Sequence, residues 1–438
     1  MKKKLLILFV IILALIGIAY FLVYPKMPIL TGYAAKKACS CYYIANRNKE
    51  SILNYDLAKS PLNLASIDIL ENENMAEASV FGLGNSKAYY SPKLGCRLIK
   101  NDNLTSKEIE LRTHPKVSGF NFDQKQVGFD QSKINEAIRE AFDDDEKWEK
   151  QTRALVIIQD DSLIAEHYAP GFNKDSKILG WSMTKSITNA LVGILVKQGK
   201  LQINKTALFE EWLDDKRRNI SLDHLLRMNS GLEWEENYAE ISPATNMLFQ
   251  THNMGDYASS FKSEFEPGDH WEYSSGTTNI ISKLIRDQFD NDEDYHDFPY
   301  KLFSRLGIES FVMEADASGH YVMSSYCFGT PRDWAKLGLL YLNDGIMGED
   351  TILTKEWIDY SITPTENSTN GCYGAHLWLN TNQNELKNLP SSIYKFSGFE
   401  GQYVYIIPSK NAVVVRMGLS KGPPFDVEKM MNLIYDAL

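Results

Sequence analysis

The order of apolar and polar positions divides this chain into three parts. An uncharged run extends from Leu5 to Tyr24, directly after lysines at residues 2–4. The run has about the 20 residues that a helix needs to cross a bilayer, and the lysines predict that its N-terminal end stays in the cytoplasm. We therefore predict an N-terminal membrane anchor over residues 1–25. A cleaved signal peptide is the alternative, although Tyr24-Pro25-Lys26-Met27 offers no cleavage site of small residues.

Short apolar runs broken by turn residues make up the second part, residues 26–126. The runs lie around residues 64–70, 78–83 and 94–99, and glycine, asparagine and proline separate them. This pattern is typical of short strands. It predicts a small β-rich segment, and the sequence does not indicate its role.

Three of the five cysteines, Cys39, Cys41 and Cys96, fall in this segment. The predicted anchor places the segment outside the plasma membrane, where disulfides persist. A bridge from Cys39 or Cys41 to Cys96 is therefore possible, and the sequence leaves the pairing open.

The third part, residues 127–438, alternates between helical and strand periods. Helical spacing marks residues 131–142, 182–197 and 427–438, and strand patterns mark residues 154–159, 163–168, 394–397, 402–407 and 412–417. Helices and loops dominate the residues between 201 and 385. We predict an α/β (α+β) domain in which N-terminal and C-terminal strands share one antiparallel sheet, flanked by helices and interrupted by a helical region.

The composition of the chain excludes some classes of function and leaves the predicted fold unchanged. The formal net charge of -11 argues against nucleic acid as a partner. The histidines and cysteines show no His-x-x-x-His or Cys-x-x-Cys spacing, so no metal or other cofactor is predicted. The oligomeric state is not legible from the sequence.

Candidate chemistry begins at Ser182-Met183-Thr184-Lys185, at the start of the most apolar helix after residue 26. A serine three residues before a lysine puts a hydroxyl and an amine on one helix face. Burial and the positive end of the helix dipole both disfavour the ammonium form of Lys185, which suits a general base. The alternative for so short a pattern is a capping serine followed by a solvated lysine.

Two later stretches extend the candidate site. Tyr273 lies in Glu272-Tyr273-Ser274-Ser275-Gly276, a polar and aromatic stretch that opens a predicted helix. Phe396-Ser397-Gly398-Phe399-Glu400-Gly401-Gln402 is a strand with glycines, which let a backbone N–H approach a ligand closely.

Taken in this order, Ser-x-x-Lys, Tyr-Ser-Ser and the late glycine-bearing strand resemble the serine β-lactamase and penicillin-binding-protein superfamily. The likeness is to its class C-like branch, which contains esterases and 6-aminohexanoate-oligomer hydrolases. It covers roughly residues 127–438, and further matching stretches lie at residues 221–234, 273–280, 330–338 and 401–404.

The resemblance implies a β-lactamase-like fold and a serine hydrolase that cleaves a small-molecule ester or amide. Ser182 would be acylated, Lys185 would take its proton, and Tyr273 would relay the proton to the leaving group. The backbone N–H groups of Ser182 and Phe399 would form the oxyanion hole. The resemblance further implies substrate contacts for Tyr238, Ser275 and Gly398.

Two departures bear on the substrate. Members that act on penicillins usually carry an asparagine where this chain has Ser275, and a lysine or histidine where it has Phe396. The loss of a cation that would bind a substrate carboxylate favours other esters or amides. Two alternatives remain: a D-alanyl-D-alanine peptidase or β-lactamase, and a non-catalytic binding protein, which would be expected to have lost Ser182, Lys185 or Tyr273.

Overall fold

A computed structural model describes residues 4–5, 9, 17, 24–100, 112–114, 120, 122, 128–143, 149–420, 422 and 424–438. The α-helices of at least three residues, numbered along the described chain, are α1 (Met27–Tyr43), α2 (Lys49–Ser51), α3 (Gln131–Ala141), α4 (Thr184–Lys197), α5 (Leu222–Leu226), α6 (Pro243–Gln250), α7 (Met254–Ser259), α8 (Ser275–Arg286), α9 (Asp292–Arg305), α10 (Pro331–Leu342), α11 (Lys355–Ile362) and α12 (Val427–Ala437).

The strands are β1 (Ala65–Leu70), β2 (Met75–Val80), β3 (Leu83–Ser91), β4 (Gly95–Leu98), β5 (Thr152–Gln159), β6 (Ser162–Tyr168), β7 (Ile178–Leu179), β8 (Val312–Met313), β9 (Cys327–Gly329), β10 (Ile346–Met347), β11 (Asp350–Thr351), β12 (Trp378–Leu379), β13 (Tyr394–Gly398), β14 (Gln402–Ile407) and β15 (Ala412–Gly418). The strand patterns predicted in the third part of the chain are confirmed in β5, β6 and β13–β15.

The chain divides into two compact units. The first comprises residues 1–106, 235–253 and 316–319, and the second comprises residues 107–234, 254–315 and 320–438. The first unit thus includes two later segments that the hydrophobic pattern does not separate. The domain boundaries predicted after residues 25 and 126 stay predictions.

In the first unit, an antiparallel sheet in the order β1-β2-β3-β4 packs against α1. A disulfide joins Cys39 of α1 to Cys96 of β4 across 57 residues, and Cys41 is a buried thiol that donates to Asp56 Oδ1 at 3.8 Å. The hydrophobic pattern did not predict α1. Residues 34–41 of this helix are all buried, Lys36 and Lys37 among them, so neither a polar face nor an apolar stripe marks the helix in the sequence.

The predicted transmembrane helix is corrected here. Within the described ranges, no helix is long and apolar enough to cross a membrane. Most of residues 5–24 lie outside the described part of the chain, and the helix that follows, α1, has 17 residues and two buried lysines. The predictions of a single-pass plasma-membrane location and of a membrane partner are withdrawn with the helix.

The second unit is built around an antiparallel sheet in the order β12-β13-β14-β15-β5-β6. Helices α3 and α12 cover one face through a buried apolar cluster that includes Ile134, Tyr405 and Ile434. Helix α10 packs against β14 and β15 on the sheet, and a Cβ atom at Gly338 would meet Val404 and Val413 at 2.8 Å. The strands thus come from both ends of the domain, and the long insertion between β6 and β12 carries most of the helices, as predicted.

Candidate active site

Ser182 lies in a 3-10 turn, Trp181–Met183, that leads directly into α4. Trp181 has a φ of 48°, in the left-handed region that residues other than glycine seldom adopt. The turn is held by Thr184 Oγ1, which donates to the Trp181 carbonyl at 2.7 Å, and by Gly180 N, which donates to the Cys327 carbonyl at 2.8 Å. This sharp turn leaves Ser182 partly exposed at the beginning of a buried helix.

Lys185 is 1% exposed and reaches back along the helix to the serine. Its Nζ lies 3.1 Å from Ser182 Oγ, 3.0 Å from Ser275 Oγ and 3.0 Å from the Ser324 carbonyl oxygen. The alternative of a solvated lysine is therefore excluded, because the amine is buried among oxygen atoms.

These contacts suit the amine in both of its protonation states. An ammonium donates to all three oxygens. A neutral amine has two N–H groups for Ser324 and Ser275, and its lone pair is then left for the Ser182 hydroxyl proton. The arrangement can therefore exchange one proton between Ser182 and Lys185 without breaking its other hydrogen bonds.

The beginning of α8 brings Tyr273 and Ser275 to this amine. Ser274 caps the helix by accepting a hydrogen bond from Thr277 N at 3.0 Å. The Tyr273 ring centroid lies 4.8 Å from Lys185 Nζ. Ser275 is fully buried and contacts the lysine, so the structure gives this serine a partner within the protein, and its predicted contact with substrate stays a prediction.

Strand β13 approaches the serine turn at Gly398, and the turn packs against Trp334 of α10 at Gly180. A Cβ atom at Gly398 would lie 2.1 Å from the Gly180 carbonyl oxygen, and a Cβ atom at Gly180 would meet the Trp334 ring at 2.3 Å. Close packing thus accounts for Gly398, whose contact with substrate stays a prediction. The next residue, Phe399, is 38% exposed, and its ring meets the Trp181 ring edge-on at 5.6 Å between centroids.

Phe396 does not line an open surface, which corrects one part of the sequence argument. Its side chain is 0% exposed and packs edge-on against Tyr341 of α10 at 5.1 Å. The neighbouring cation, Lys395, is buried and paired with Glu385. The strand position still lacks a cation, but the phenyl ring belongs to the core and would not face a substrate carboxylate.

Tyr238 belongs to the first unit. It is 38% exposed, and its hydroxyl donates to Glu236 Oε1 at 2.5 Å. The other predicted residues, from Ser182 to Phe399, all belong to the second unit. The substrate contact of Tyr238 therefore stays a prediction.

Sequence reasoning missed His376, which is 2% exposed. Its Nε2 lies 3.2 Å from Thr278 Oγ1, and its carbonyl accepts from Ser186 Oγ of α4 at 3.1 Å. Burial, and secondarily the charge of Lys185, lowers the pKa of His376 to about 3. At neutral pH the imidazole is uncharged and adds no second cation beside the amine.

Ser324 was also missed, because its contribution to Lys185 is a backbone carbonyl that any residue type supplies. Asn279 holds Ser324 through two hydrogen bonds, from Nδ2 to Ser324 Oγ at 3.1 Å and from Ser324 N to Oδ1 at 3.3 Å. No sequence signal marks such a contact. Among the described residues, no group of three or more histidines, cysteines and acidic residues could hold a metal ion.

Comparison with known proteins shows similarity to a curated hydrolase. The 6-aminohexanoate-dimer hydrolase of Paenarthrobacter ureafaciens is 21% identical over 327 residues, which cover 65% of this chain and 79% of the relative.

Solved structures share the fold at low identity. A family VIII carboxylesterase is 13% identical with a TM-score of 0.56, and the match covers 72% of this chain and 99% of that one. A penicillin-binding protein from Bacillus halodurans is 16% identical with a TM-score of 0.52, and the match covers 70% of this chain and 99% of that one. At these identities the structures show the fold alone.

The profile of the family described as Beta-lactamase matches residues 145–437, which is more than half of the chain. This match confirms the resemblance drawn from the Ser-x-x-Lys, Tyr-Ser-Ser and late-strand stretches. The chain therefore belongs to the Beta-lactamase family, and it is an enzyme of the serine hydrolase class.

Proposed function

We propose that the protein cleaves an ester or amide bond through an acyl-enzyme on Ser182. The observation that carries this proposal is the 3.1 Å contact between Lys185 Nζ and Ser182 Oγ, made by a buried amine with two further oxygen partners. A serine hydroxyl is a weak nucleophile until an adjacent base removes its proton. Lys185 is in hydrogen-bond reach of that proton, as a general base must be.

The reaction proceeds in two transfers. Ser182 Oγ attacks the substrate carbonyl while its proton passes to Lys185, and the new oxyanion accepts hydrogen bonds from the N–H groups of Ser182 and Phe399. The proton then passes through Tyr273 to the leaving alcohol or amine, and the acyl–oxygen or acyl–nitrogen bond breaks. Water later attacks the acyl carbon and gives a proton to the same relay. The bond from the acyl carbon to Ser182 Oγ then breaks, the carboxylic acid leaves, and the relay returns the proton to Ser182 Oγ.

The names of similar proteins support the substrate class. A 6-aminohexanoate-dimer hydrolase acts on a dimer whose two units an amide bond joins, and a carboxylesterase acts on an ester. The serine at position 275, where members that act on penicillins usually carry asparagine, supports esters and amides over penicillins.

The test combines an active-site label with a substrate panel. The protein is incubated with a fluorophosphonate, and its intact mass is measured for the wild type, for Ser182→Ala and for Ser132→Ala, a control serine on the exposed surface. We expect one adduct in the wild type and the control and none in Ser182→Ala. We also expect kcat/KM for short p-nitrophenyl esters to exceed that for penicillins and cephalosporins.

Two outcomes would contradict the proposal. Ester hydrolysis by Ser182→Ala at the wild-type rate would remove Ser182 from the mechanism. Comparable kcat/KM on a cephalosporin and on the esters would favour the cell-wall alternative.

A further inference from the structure

The turn between β13 and β14 carries the N–H group that the proposed oxyanion hole takes from Phe399. The turn consists of Phe399, Glu400 and Gly401, between the paired residues Gly398 and Gln402. Glu400 has a φ of 63° and Gly401 a φ of 75°. Only glycine adopts this left-handed region without a conformational cost, so surrounding structure has to hold Glu400 in place.

Gln402 is the first of two buried side chains under this turn, and it is 1% exposed. Its Nε2 lies 3.2 Å from the Phe399 carbonyl oxygen, 3.3 Å from that of Glu400 and 2.5 Å from that of Gly418. Its Oε1 accepts from Gly418 N at 3.0 Å. The side chain therefore ties the turn to the end of β15.

Arg416 of β15 is the second, and it is 0% exposed. Its Nη1 donates to the Gly401 carbonyl at 2.8 Å and to the Glu400 carbonyl at 3.3 Å. The same guanidinium donates to Thr152 Oγ1 and to the Lys150 and Ser420 carbonyls. Burial lowers the pKa of Arg416 to about 10, so the group keeps its charge at neutral pH.

The space around the guanidinium is filled. A Cβ atom at Gly401 would lie 2.6 Å from Arg416 Nη1, and a Cβ atom at Gly418 would lie 2.7 Å from Arg416 Cζ. Every carbonyl of the three-residue turn thus accepts from Gln402 or Arg416. On its other side, Glu400 Oε2 accepts from Trp181 Nε1 at 3.1 Å, next to Ser182.

We propose that Gln402 and Arg416 are positioning residues that fix the Phe399–Gly401 turn, so that Phe399 N–H donates to the reaction's oxyanion. They do not touch the substrate, because both are buried beneath the turn. This proposal rests on the proposed function. A displacement of about 1 Å at such a donor is enough to cost roughly 100-fold in rate.

The test measures a ratio of kcat/KM values for two substrates, which a loss of stability alone would leave unchanged. A p-nitrophenyl ester and its thionoester, in which sulfur replaces the carbonyl oxygen, are compared by kcat/KM, because a hole shaped for oxygen discriminates against sulfur. The variants are Gln402→Met, which removes the donors, Gln402→Glu, which keeps the volume and the Oε1 acceptor, and Arg416→Lys. Gln159→Met is the control, since Gln159 is buried in the same sheet, at the end of β5, and its Nε2 donates to the backbone oxygens of Lys410 and Leu438.

We expect Gln402→Met and Arg416→Lys to lower kcat roughly 10- to 100-fold with KM within about 3-fold, and to lower the ester-to-thionoester ratio. Gln159→Met is expected to lower the melting temperature and keep the wild-type ratio. If Gln402→Met does not fold, the ester-to-thionoester ratio of Gln402→Glu provides the test in its place. A wild-type ratio in the folded Gln402 and Arg416 variants would overturn this inference, whereas activity in Ser182→Ala would overturn the proposed function instead.

Discussion

At the scale of single residues, the chemistry depends on what surrounds one amine. Lys185 Nζ lies within 3.1 Å of three oxygen atoms, the Tyr273 ring centroid is 4.8 Å away, and the charge of Lys185 acts on His376. A second charge beside the amine would change its ability to take a proton. The neutral state of His376 avoids this, and it is a consequence of burial.

Removal of the amine tests its role directly. We expect Lys185→Ala to lower kcat for an ester by a factor on the order of a thousand or more, because Ser182 loses its base. Steady-state kinetics with circular dichroism separates this loss from unfolding. Lys197→Ala, an exposed lysine at the end of the same helix, should keep wild-type kcat. Equal rates in both variants would contradict the role of Lys185.

His376 predicts a pH dependence of stability. Its pKa is about 3 in the folded protein and about 6.5 in an unfolded chain, so the unfolded state binds more protons between these values. The stability that the neutral imidazole contributes is present above pH 6.5 and is lost as pH falls toward 3. From pH 7 to pH 5 the loss is about 2 kcal/mol in the free energy of unfolding.

The matching variant is His376→Asn, because His376 has a φ of 59° and asparagine tolerates that region. Urea unfolding at pH 7 and pH 5 should show a smaller difference for this variant than for the wild type. His270→Asn, at a half-exposed position, should keep the wild-type difference. An unchanged difference in His376→Asn would show that His376 does not cause it.

At the scale of elements, the site depends on how closely β13 approaches the turn before α4. That approach brings the Gly398 backbone next to the Gly180 carbonyl, and a side chain at Gly398 would prevent it, since its Cβ would lie 2.1 Å from that oxygen. The strand and the helix start are more than 200 residues apart in the sequence, so the sheet register determines whether they meet.

Gly398→Ala should therefore reduce activity through geometry. The added Cβ would lie 2.1 Å from the Gly180 carbonyl oxygen, and β13 must move to relieve the overlap. We expect a loss of about 1–3 kcal/mol in the free energy of unfolding and at least a 10-fold loss of kcat. Gly128→Ala is the control, because apart from its neighbours in the chain no atom of the described residues lies within 4 Å of the position that its Cβ would take. Wild-type kcat in Gly398→Ala would contradict this account.

At the scale of the whole molecule, the disulfide lies in one unit and the candidate catalytic residues lie in the other. Cys39 and Cys96 close a loop of 57 residues in the first unit. A cross-link across such a loop stabilises a fold by about 2–4 kcal/mol, because it restricts the unfolded chain.

The double variant Cys39→Ser with Cys96→Ser should lower the unfolding temperature of the first unit in calorimetry. Ester hydrolysis should stay within about 2-fold of the wild type below that temperature, because Ser182, Lys185 and Tyr273 belong to the second unit. Cys372→Ser, a free and partly exposed thiol of the second unit, controls for the loss of a cysteine. A single, unchanged calorimetric transition in the double variant would contradict the expectation.

The sequence by itself determined the features that depend on neighbouring residues. Periodicity predicted α3, α12, β5, β6 and the three strands β13–β15, because the spacing of apolar residues along a segment reflects which side of the helix or strand is buried. The proximity of Ser182 and Lys185 also followed from the sequence, because residues three apart lie on the same side of one helical turn. The family likeness also followed from short motifs, and the Beta-lactamase family match confirms it.

Tertiary structure decided the rest, because it depends on contacts between distant parts of the chain. The third oxygen at Lys185 is a Ser324 carbonyl, the neutral His376 is a result of burial, and Phe396 is buried against Tyr341 of α10, which is distant in the sequence. Helix α1 was missed because its lysines are buried. The apolar run of residues 5–24 led to a membrane helix that no described helix supports. The hydrophobicity of the sequence indicates which residues tend to be buried, and only the fold determines which other residues pack against them.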